Sequence, residues 1–486
     1  LSGGRAPALA PIVAADPRPD RVPLSFAQQR MWFLTQFDPE SPAYNIPVAV
    51  RLSGDLDIDA LYLAARDVVE RHEILRTTFP ERDGRPVQQV HTGAQSNLDW
   101  EVVDREDELF QAAAGGFDVV QRPPFRIRVW ASAPGEWVLL AVIHHIVGDG
   151  QSMIPLIGDM ISAYGARAGG EAPEFEPLAI QFADYALWQH EVLGDPADPM
   201  SIAGRQLTYW SQALTGIPEV VDLPMDRPRP LIASHSGARY DFDMPAAVGR
   251  RIEEVARTSG ASPLMVIQAG LATLLARLSG TDDITIATPI AGRGQSVLDA
   301  LVGMFVNTLV LRSRIDLGES FVKLVERVRG TDLEAFAHAD VPFESVVERI
   351  NPPRSEAFSP LAQVMLSVNH IGPESTVVGA VDGLTVTPVA TPITPAQVDL
   401  SFTVNIRSAD SWLVSVIYAT DLFDQAAVAI LGGRLITILD ALTQSPTDAI
   451  ALAPLLTLAE REQIRKWSTG GAAVLDGQTL IGLVER

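Results

Sequence analysis

The sequence predicts a mixed fold, of the α/β or α+β class, divided into two lobes. The chain has 486 residues, which is longer than one typical domain. Apolar residues make up 47% of it and charged residues 20%, proportions that indicate a folded protein rather than a disordered one. Segments with helical periodicity and segments with strand character are mixed throughout the chain. We therefore expect two or more packed units that each contain helices and strands.

The first predicted elements follow a stretch with little periodicity. Residues 1–22 are rich in Ala, Pro, Gly and Asp and are predicted to be a linker, with order beginning near Leu24. Residues 57–70 carry apolar side chains at helical spacing and are predicted to form a helix. In residues 125–129, apolar side chains alternate with arginines, which is typical of a half-buried strand. The apolar run 137–144 predicts a second, buried strand.

A short loop and an amphipathic helix follow this second strand. The loop contains Gly148 and Gly150. After it, apolar side chains recur at helical spacing from Met153 to Tyr164, which predicts a helix. The segment is therefore predicted to run from a buried strand through a tight loop into a helix.

The second half of the chain begins after a Pro-rich stretch between residues 196 and 230. Ser262-Pro263 is a helix-start signal, and apolar residues at helical spacing continue that helix to residue 278. Residues 284–290 and 304–311 are predicted strands. A polar helix from about residue 455 leads into a Gly-containing segment that we interpret as a second linker.

Composition excludes several classes of function. The chain has no cysteine, so disulfides, Cys-zinc sites and Cys nucleophiles are excluded. Its net charge of −23 is unfavourable for general binding of nucleic acid or anionic membranes, and Lys323 and Lys466 are its only lysines. We find no continuous apolar run near the ~20 residues that a membrane span needs. The lack of cysteine fits a reducing compartment, and we expect a cytoplasmic protein.

The most informative local feature is the run His144-His145-Ile146-Val147-Gly148-Asp149-Gly150. Two adjacent histidines at the end of a strand point to opposite faces, so one can be buried while the other faces a cleft. The Asp149 carboxylate could orient a ring or pair with an arginine. The start of the following helix leaves unpaired N–H groups, which favour developing negative charge.

Other interpretations of this run compete with catalysis. A pair of histidines is more often structural than catalytic. A metal site is disfavoured, because no third ligand follows at a familiar spacing such as HExxH. A Ser-His-Asp hydrolase would need a G-x-S-x-G turn, which the sequence lacks.

Residues 144–150 resemble the HHxxxDG motif of the condensation domains of nonribosomal peptide synthetases. The wider superfamily includes chloramphenicol acetyltransferase and acyl-CoA-dependent acyltransferases, so this motif alone does not separate the branches. Six further segments resemble other motifs of condensation domains and occur in the family's order. They are residues 25–34 (SFAQQRMWFL), 71–79 (RHEILRTTF), 182–188 (FADYALW), 302–308 (VGMFVNT), 338–344 (HADVPFE) and 360–364 (PLAQV).

The resemblance implies two chloramphenicol-acetyltransferase-like lobes that form a V-shaped pseudo-dimer with a central tunnel. It assigns residues 23–195 to the N-terminal lobe and 196–450 to the C-terminal lobe. Residues 1–22 then resemble a linker from an upstream carrier protein, and 451–486 a linker toward an adenylation domain. Donor and acceptor substrates would arrive on the phosphopantetheine arms of two peptidyl carrier proteins. No directly bound cofactor and no metal are expected, and the excised domain is expected to be monomeric.

The implied activity is amide-bond formation between a donor acyl or peptidyl thioester and the amine of an acceptor aminoacyl thioester. His145 is the expected catalytic group, either as general base or as a hydrogen-bond partner of the amine. His144 is expected to pack or to orient the loop. The backbone N–H of Gly150 is a candidate donor to the oxyanion.

Two supporting interactions are also implied. The family places the aspartate of the motif in a salt bridge with an arginine, and we expect this pair to be Asp149 and Arg76. Asn307 is expected to line the tunnel from the second lobe, although a plain structural Asn in a strand or turn is nearly as good an interpretation.

Within the family, Gly148 and residues 305–312 and 331–344 resemble the subtype that accepts a D-configured donor terminus. Three alternatives remain: an epimerisation domain, a free-standing acyl-CoA acyltransferase and a non-catalytic docking platform. The linker-like end argues against epimerisation, and linkers on both sides argue against a free-standing enzyme. Docking platforms have a degraded HHxxxDG motif, whereas residues 144–150 are intact.

Overall fold

The computed structural model describes residues 9–93, 98–353, 355–371, 380–381, 383–391 and 394–469. It contains two lobes that both mix helices and strands, which confirms the predicted fold class. The parts of the two predicted linkers that fall in residues 1–8 and 470–486 lie outside the described residues.

Twelve helices and sixteen strands are formed by the described part of the chain. The helices are α1 (Phe26–Phe37), α2 (Ile58–Arg71), α3 (Glu106–Ala114), α4 (Met153–Ala168), α5 (Phe182–Leu193), α6 (Ile202–Ala213), α7 (Ala246–Thr258), α8 (Pro263–Ser279), α9 (Phe321–Ala337), α10 (Phe343–Ile350), α11 (Gln425–Gln444) and α12 (Leu458–Ser468). The strands are β1 (Val22–Pro23), β2 (Asn45–Ser53), β3 (Thr77–Thr78), β4 (Glu81–Arg82), β5 (Arg85–Val90), β6 (Asp99–Val103), β7 (Phe125–Ala133), β8 (Glu136–His144), β9 (Gly237–Met244), β10 (Asp283–Ile290), β11 (Asn307–Arg314), β12 (Val364–His370), β13 (Ala380–Val381), β14 (Leu384–Val389), β15 (Leu400–Ser408) and β16 (Ser411–Ala419).

The N-terminal lobe is built on a six-stranded sheet in the order β13-β14-β2-β8-β7-β6. Its strand β8 is the buried strand predicted from the apolar run, and it pairs antiparallel with both β2 and β7. Helix α2 begins where predicted, because the Asp57 side chain caps it by accepting a hydrogen bond from Ala60 N at 2.9 Å. Helices α2 and α4 pack against each other. The sheet therefore presents the end of β8, at His144, to the start of α4.

The C-terminal lobe has a second six-stranded sheet, in the order β11-β10-β12-β15-β16-β9. The predicted helix after Ser262-Pro263 is α8, in which the Ser262 side chain accepts a hydrogen bond from Met265 N. Twelve of its residues are buried, so α8 is the central helix of this lobe. Helices α7, α9 and α11 pack around it.

Helix α11 is long and apolar. Among the described residues it is the one single helix long and apolar enough to cross a membrane, whereas our sequence analysis found no continuous apolar run of that length. Helices α7 and α8 pass the same test only as a pair bent by 110°. The apolar side chains of α11, among them Leu435, Ile438 and Leu439, are buried in the C-terminal lobe. This is the environment of a core helix.

One predicted strand begins later than expected. The apolar run predicted a strand over residues 304–311, but β11 begins at Asn307 and continues to Arg314. The backbone N–H groups of Phe305 and Val306 donate to the carboxylate of Asp149 instead. Because those groups are already bonded to a side chain, they cannot join the ladder between β10 and β11.

The second half of the chain contributes segments to the N-terminal lobe. Strand β14, from the second half, adds to the N-terminal sheet beside β2. Leu298, Leu301 and Phe305, also from the second half, are buried in the hydrophobic core of the N-terminal lobe. These segments connect the two lobes, and the site described below contains residues from both.

Candidate functional site

The run 144–150 connects β8 to α4 through a single turn of 3-10 helix, His145–Val147. Two buried hydrogen bonds hold this turn: His145 N donates to Tyr44 O at 2.8 Å, and Gln28 Nε2 donates to Ile146 O at 2.9 Å. Gln28 belongs to the first resembling motif, and its side chain is fully buried. The sequence offered no indication that this glutamine supports the histidine loop.

Gly148 allows the loop to pack closely on β8. A Cβ atom placed there would lie 2.4 Å from Cδ1 of Ile143, which is well inside van der Waals contact. Around Gly150 the space is open, and this residue is exposed. The two glycines therefore differ: the first is needed for packing, whereas the second leaves backbone accessible to the cavity.

His144 is a buried structural residue. It is 1% exposed, and its Nδ1 accepts a hydrogen bond from Ile146 N at 3.1 Å. Edge-on contacts with the rings of Tyr44 and Phe117 fix its orientation. Burial, with a smaller contribution from His145, lowers its pKa to about 3. His144 is therefore neutral throughout the physiological range, and its lone pair stabilises the turn.

His145 is partly buried and lines a cavity between the lobes. Its Nδ1 is buried and has no hydrogen-bond partner among the described residues. Burial lowers the pKa of His145; the nearby carboxylate of Asp149 opposes this shift, and the guanidinium of Arg30 adds to it. The ring is therefore neutral near pH 7 and can accept a proton or a hydrogen bond.

Asp149 holds the loop against the second half of the chain. Its side chain is buried; Oδ1 accepts hydrogen bonds from N and Oγ of Ser152 at 2.8 Å each, and from Arg293 at 3.4 Å. Oδ2 accepts from Phe305 N at 2.9 Å and from Val306 N at 3.2 Å. With both oxygens engaged, this carboxylate is a structural group and not a base.

The expected ion pair between Arg76 and Asp149 is wrong. Arg76 ends a short turn after α2, and its guanidinium donates to His91 O at 2.5 Å and to Glu70 O at 3.3 Å. The cation beside Asp149 is Arg293, which is distant in sequence and lies between two glycines after β10. An arginine flanked by glycines after a predicted strand is the signal that could have drawn attention to it.

Asn307 builds the wall of the cavity. It is the first residue of β11 and lines the cavity. Its Nδ2 donates to Ala339 O at 3.0 Å and to Val341 O at 2.8 Å, and its Oδ1 accepts from Phe343 N at 2.9 Å. Both ends of the amide are thus used to position the turn before α10.

The cavity at His145 has a volume of about 620 Å³ and is lined from both lobes. A second cavity of about 520 Å³ adjoins it. The two cavities share six lining residues, which mark the place where they meet. These residues are Arg30, Tyr44, Ser359, Pro360, Gln397 and Val398.

Arg30 is a further site residue, after Gln28 and Arg293, that the sequence did not single out. It lies at the junction of the two cavities, and its Nη1 donates to Oε1 of Glu344 at 2.8 Å. This ion pair joins α1 of the N-terminal lobe to α10 of the C-terminal lobe. Its guanidinium also lies 5.5 Å from the ring centroid of Phe343. The ion pair between Arg30 and Glu344 therefore lies beside the cavity that His145 lines.

Within the described ranges, no three His, Asp or Glu side chains converge in a way that could hold a metal ion. The cavity is lined by His145, by Gly150 and by the ion pair between Arg30 and Glu344.

Comparison with known proteins identifies the family. Residues 19–465 match the sequence model of the family described as Condensation domain. The chain belongs to the condensation domain family. This condensation domain is 44% identical over 481 residues to a probable non-canonical nonribosomal peptide synthetase, CymA, of Salinispora arenicola, and 41% identical over 480 residues to an isonitrile lipopeptide synthase of Mycobacterium tuberculosis. These alignments cover 96% of the chain, but only 6% and 19% of the two relatives.

Solved structures agree with the family. The X-domain from teicoplanin biosynthesis, in complex with OxyB, is 33% identical and superposes with a TM-score of 0.85, covering 93% of this chain and 100% of that one. A four-domain nonribosomal peptide synthetase bound to AMP and glycine, at 23% identity and a TM-score of 0.80, shares the fold over 91% of this condensation domain and 34% of its own length. The predicted pair of chloramphenicol-acetyltransferase-like lobes is confirmed.

Proposed function

We propose that this condensation domain joins a donor acyl or peptidyl thioester to the amine of an acceptor aminoacyl thioester. The observation that carries the proposal is the position of His145. This residue lines a cavity formed by both lobes, and that cavity meets a second one at Arg30 and Tyr44. A passage of this kind suits two tethered substrates that enter from different sides and react in the middle.

The chemistry requires alignment more than activation. A thioester is already reactive, and an α-amine has a pKa of about 8, so a fair fraction is neutral at working pH. The amine nitrogen attacks the thioester carbon, the C–N bond forms, and the C–S bond breaks to release a thiolate. Holding the two reactants in register converts a bimolecular step into an effectively unimolecular one.

His145 would handle the proton that the amine loses. Nε2 accepts a hydrogen bond from the amine and takes its proton as the C–N bond forms; the proton then passes to the departing thiolate. Because burial lowers the pKa of His145, the imidazolium is costly and does not persist. General-base assistance of this kind is worth roughly 10²–10⁴-fold in rate.

The oxyanion of the tetrahedral intermediate would be stabilised at the loop. Gly150 lines the cavity, and its backbone N–H donates no hydrogen bond within the described residues. The guanidinium of Arg30 lies at the junction of the cavities, where Glu344 accepts one of its N–H groups. Such preorganised donors and charges stabilise negative charge without rearrangement during the reaction.

The finer parts of the proposal concern substrates and partners. We propose that both substrates arrive on phosphopantetheine arms of carrier proteins, that an adenylation domain adjoins this domain in the native synthetase, and that the donor terminus is D-configured or glycine. The subtype-like segments around Gly148, 305–312 and 331–344 support the last point. A comparison of D- and L-ended donor thioesters in one assay tests it, and a preference for the L form would overturn it.

A docking platform is the second function to consider, because a similar solved structure is an X-domain in complex with OxyB. In this chain the histidine motif is intact, and His145 opens on a cavity. Both observations favour catalysis over docking alone.

The test is a reconstituted condensation with donor and acceptor loaded on their carrier proteins. His145→Ala should reduce amide formation by at least a hundredfold, whereas carrier binding should be unchanged. The matched control is His370→Ala, which removes an exposed imidazole outside both cavities. Equal turnover in the unaltered chain and in His145→Ala would reject the role of His145. Absence of amide product, combined with tight binding of a partner enzyme, would favour the platform.

A further inference from the structure

Residues 10–18 lie inside the predicted linker, yet they are bound to the body of the protein. Ala10 O accepts hydrogen bonds from Trp188 Nε1 at 2.8 Å and from Gln295 Nε2 at 3.0 Å. Ile12 N donates to Gln295 Oε1 at 3.0 Å, and the side chain of Ile12 is only 6% exposed. Gln295 therefore uses both ends of its amide on this segment.

A buried carboxylate anchors the other end of the segment. Asp184, on α5, is 2% exposed and accepts hydrogen bonds from Arg18 at 3.1 Å and from Ala15 N at 3.2 Å. Arg18 also pairs with Glu73 at 2.6 Å. The same carboxylate caps α5 by accepting from Gln181 N at 2.8 Å. Without Arg18, a buried charge would lose its ion-pair partner, so this end of the segment is strongly held.

Gln295 lies two residues from the arginine that clasps the catalytic loop. Arg293 is 4% exposed in its side chain; it donates to the carbonyls of Leu298 and Leu301, and also to Asp149 and Ser152. The segment 10–18, Gln295 and Arg293 thus form a continuous chain of contacts from α5 to the loop that carries His145.

We propose that residues 10–18 are a strap that positions the catalytic loop, and that Gln295 is the positioning residue through which the strap acts. The strap ties the turn 293–298 to α5, and the turn then holds Arg293 against Asp149. If the strap were loosened, Arg293 could move away from Asp149. The loop would then shift and displace the ring of His145. Displacement of a reacting group by about 1 Å can reduce a rate by up to 10²-fold.

The activity measurement rests on the proposed function and compares Gln295→Leu with the unaltered chain. This substitution removes both hydrogen bonds to the strap and keeps a similar volume. The matched control is Gln463→Leu, which makes the same change on the exposed surface of α12. We expect Gln295→Leu to lower kcat about tenfold with KM for both substrates within twofold, and Gln463→Leu to change neither. An unchanged kcat in Gln295→Leu would overturn the proposal.

A second measurement does not depend on the reaction. Amide hydrogen exchange at Phe305 and Val306, whose N–H groups bind Asp149, should be faster in Gln295→Leu, whereas exchange in β2 and β8 should be unchanged. Faster exchange throughout the chain would mean a loss of global stability and would overturn the positioning role. If the unaltered chain forms no amide, the proposed function fails, and exchange alone decides whether the strap holds the loop.

The anchor at the other end provides an independent variant. Arg18→Met alone would leave the buried carboxylate of Asp184 without an ion-pair partner. It is therefore combined with Asp184→Asn, so that the double variant lacks both charges. The double variant should reproduce the effects of Gln295→Leu on kcat and on exchange at Phe305 and Val306. Wild-type values of both quantities in a folded double variant would overturn the strap.

Discussion

A buried carboxyl group in the C-terminal lobe provides a prediction about stability that does not depend on the proposed activity. Asp332, on α9, is 0% exposed, and its Oδ1 accepts a hydrogen bond from Gln268 Nε2 at 3.1 Å. Two neighbouring acceptors lack partners: Oδ2 of Asp332 and Oε1 of Gln268. A single proton on Oδ2 would let the carboxyl donate to Gln268 Oε1 and so pair both atoms, as in a cyclic acid–amide pair. We therefore expect Asp332 to be protonated in the folded protein at mildly acidic pH.

The size of the effect follows from the pKa. Burial raises the pKa of Asp332 from 3.8 to about 7, and the hydrogen bond from Gln268 opposes this only partly. The folded state binds the Asp332 proton more tightly than the unfolded state does. The contribution of this proton to the free energy of unfolding is therefore complete below pH 4 and is lost as the pH rises through 7. At 1.36 kcal/mol per pKa unit, the loss between pH 5 and pH 8 is roughly 3 kcal/mol.

Asp332→Asn tests this reasoning, because an amide donates to Gln268 Oε1 at every pH. The free energy of unfolding of the variant, relative to the unaltered chain, should rise by roughly 3 kcal/mol from pH 5 to pH 8. For a lobe of this size, that corresponds to roughly 6–12 °C in the midpoint of thermal unfolding, measured by calorimetry. Asp243→Asn, at an exposed position, is the matched control and should show no such trend. Parallel pH profiles for Asp332→Asn and the unaltered chain would refute the protonated pair.

Three further predictions concern the loop that carries His145. Gly148→Ala should lower both the midpoint of thermal unfolding, measured by calorimetry, and the rate of amide formation, measured by turnover. The new Cβ would lie 2.4 Å from Cδ1 of Ile143, and overpacking of this kind costs about 1–3 kcal/mol. Arg293→Met should reduce turnover at least tenfold, because it removes the cation beside the buried carboxylate of Asp149. Turnover of the control variant Arg76→Met should stay within twofold of the unaltered chain. Equal effects of the two substitutions would contradict the assignment of the ion pair. The profile of kcat/KM against pH should fall with a slope of one below the pKa of the acceptor amine, about 8, and should steepen to a slope of two only below pH 6.5, because burial lowers the pKa of His145; a slope of two already above pH 7 would contradict this assignment.

Local patterns predicted much of the architecture. The strand that ends at His144, the helix after Ser262-Pro263 and the amphipathic helix from Met153 all occur where periodicity and capping placed them. These features depend on neighbouring residues in the chain: alternation or helical spacing of apolar side chains, and a cap that satisfies the first N–H groups. The adjacent histidines also divide as expected, with His144 buried and His145 facing a cavity, because consecutive residues at a strand end point to opposite sides.

Interactions between distant segments could not be obtained in this way. The cation beside Asp149 was expected to be Arg76, but it is Arg293, which lies 144 residues away. The late start of β11 has the same origin, because the backbone of Phe305 is occupied by Asp149 and cannot pair with β10. Neither fact has a local signature in the sequence.

The amino-acid sequence by itself determined the class of fold, the order of the elements, the histidine loop and, through its motifs, the family. The tertiary structure alone decided which arginine clasps Asp149, that Arg30 lies where two cavities meet, and that residues 10–18 are bound rather than free. The reason is physical. Helix and strand formation is governed by residues a few positions apart, whereas a buried charge accepts whichever donor the packing of remote segments brings within about 3 Å.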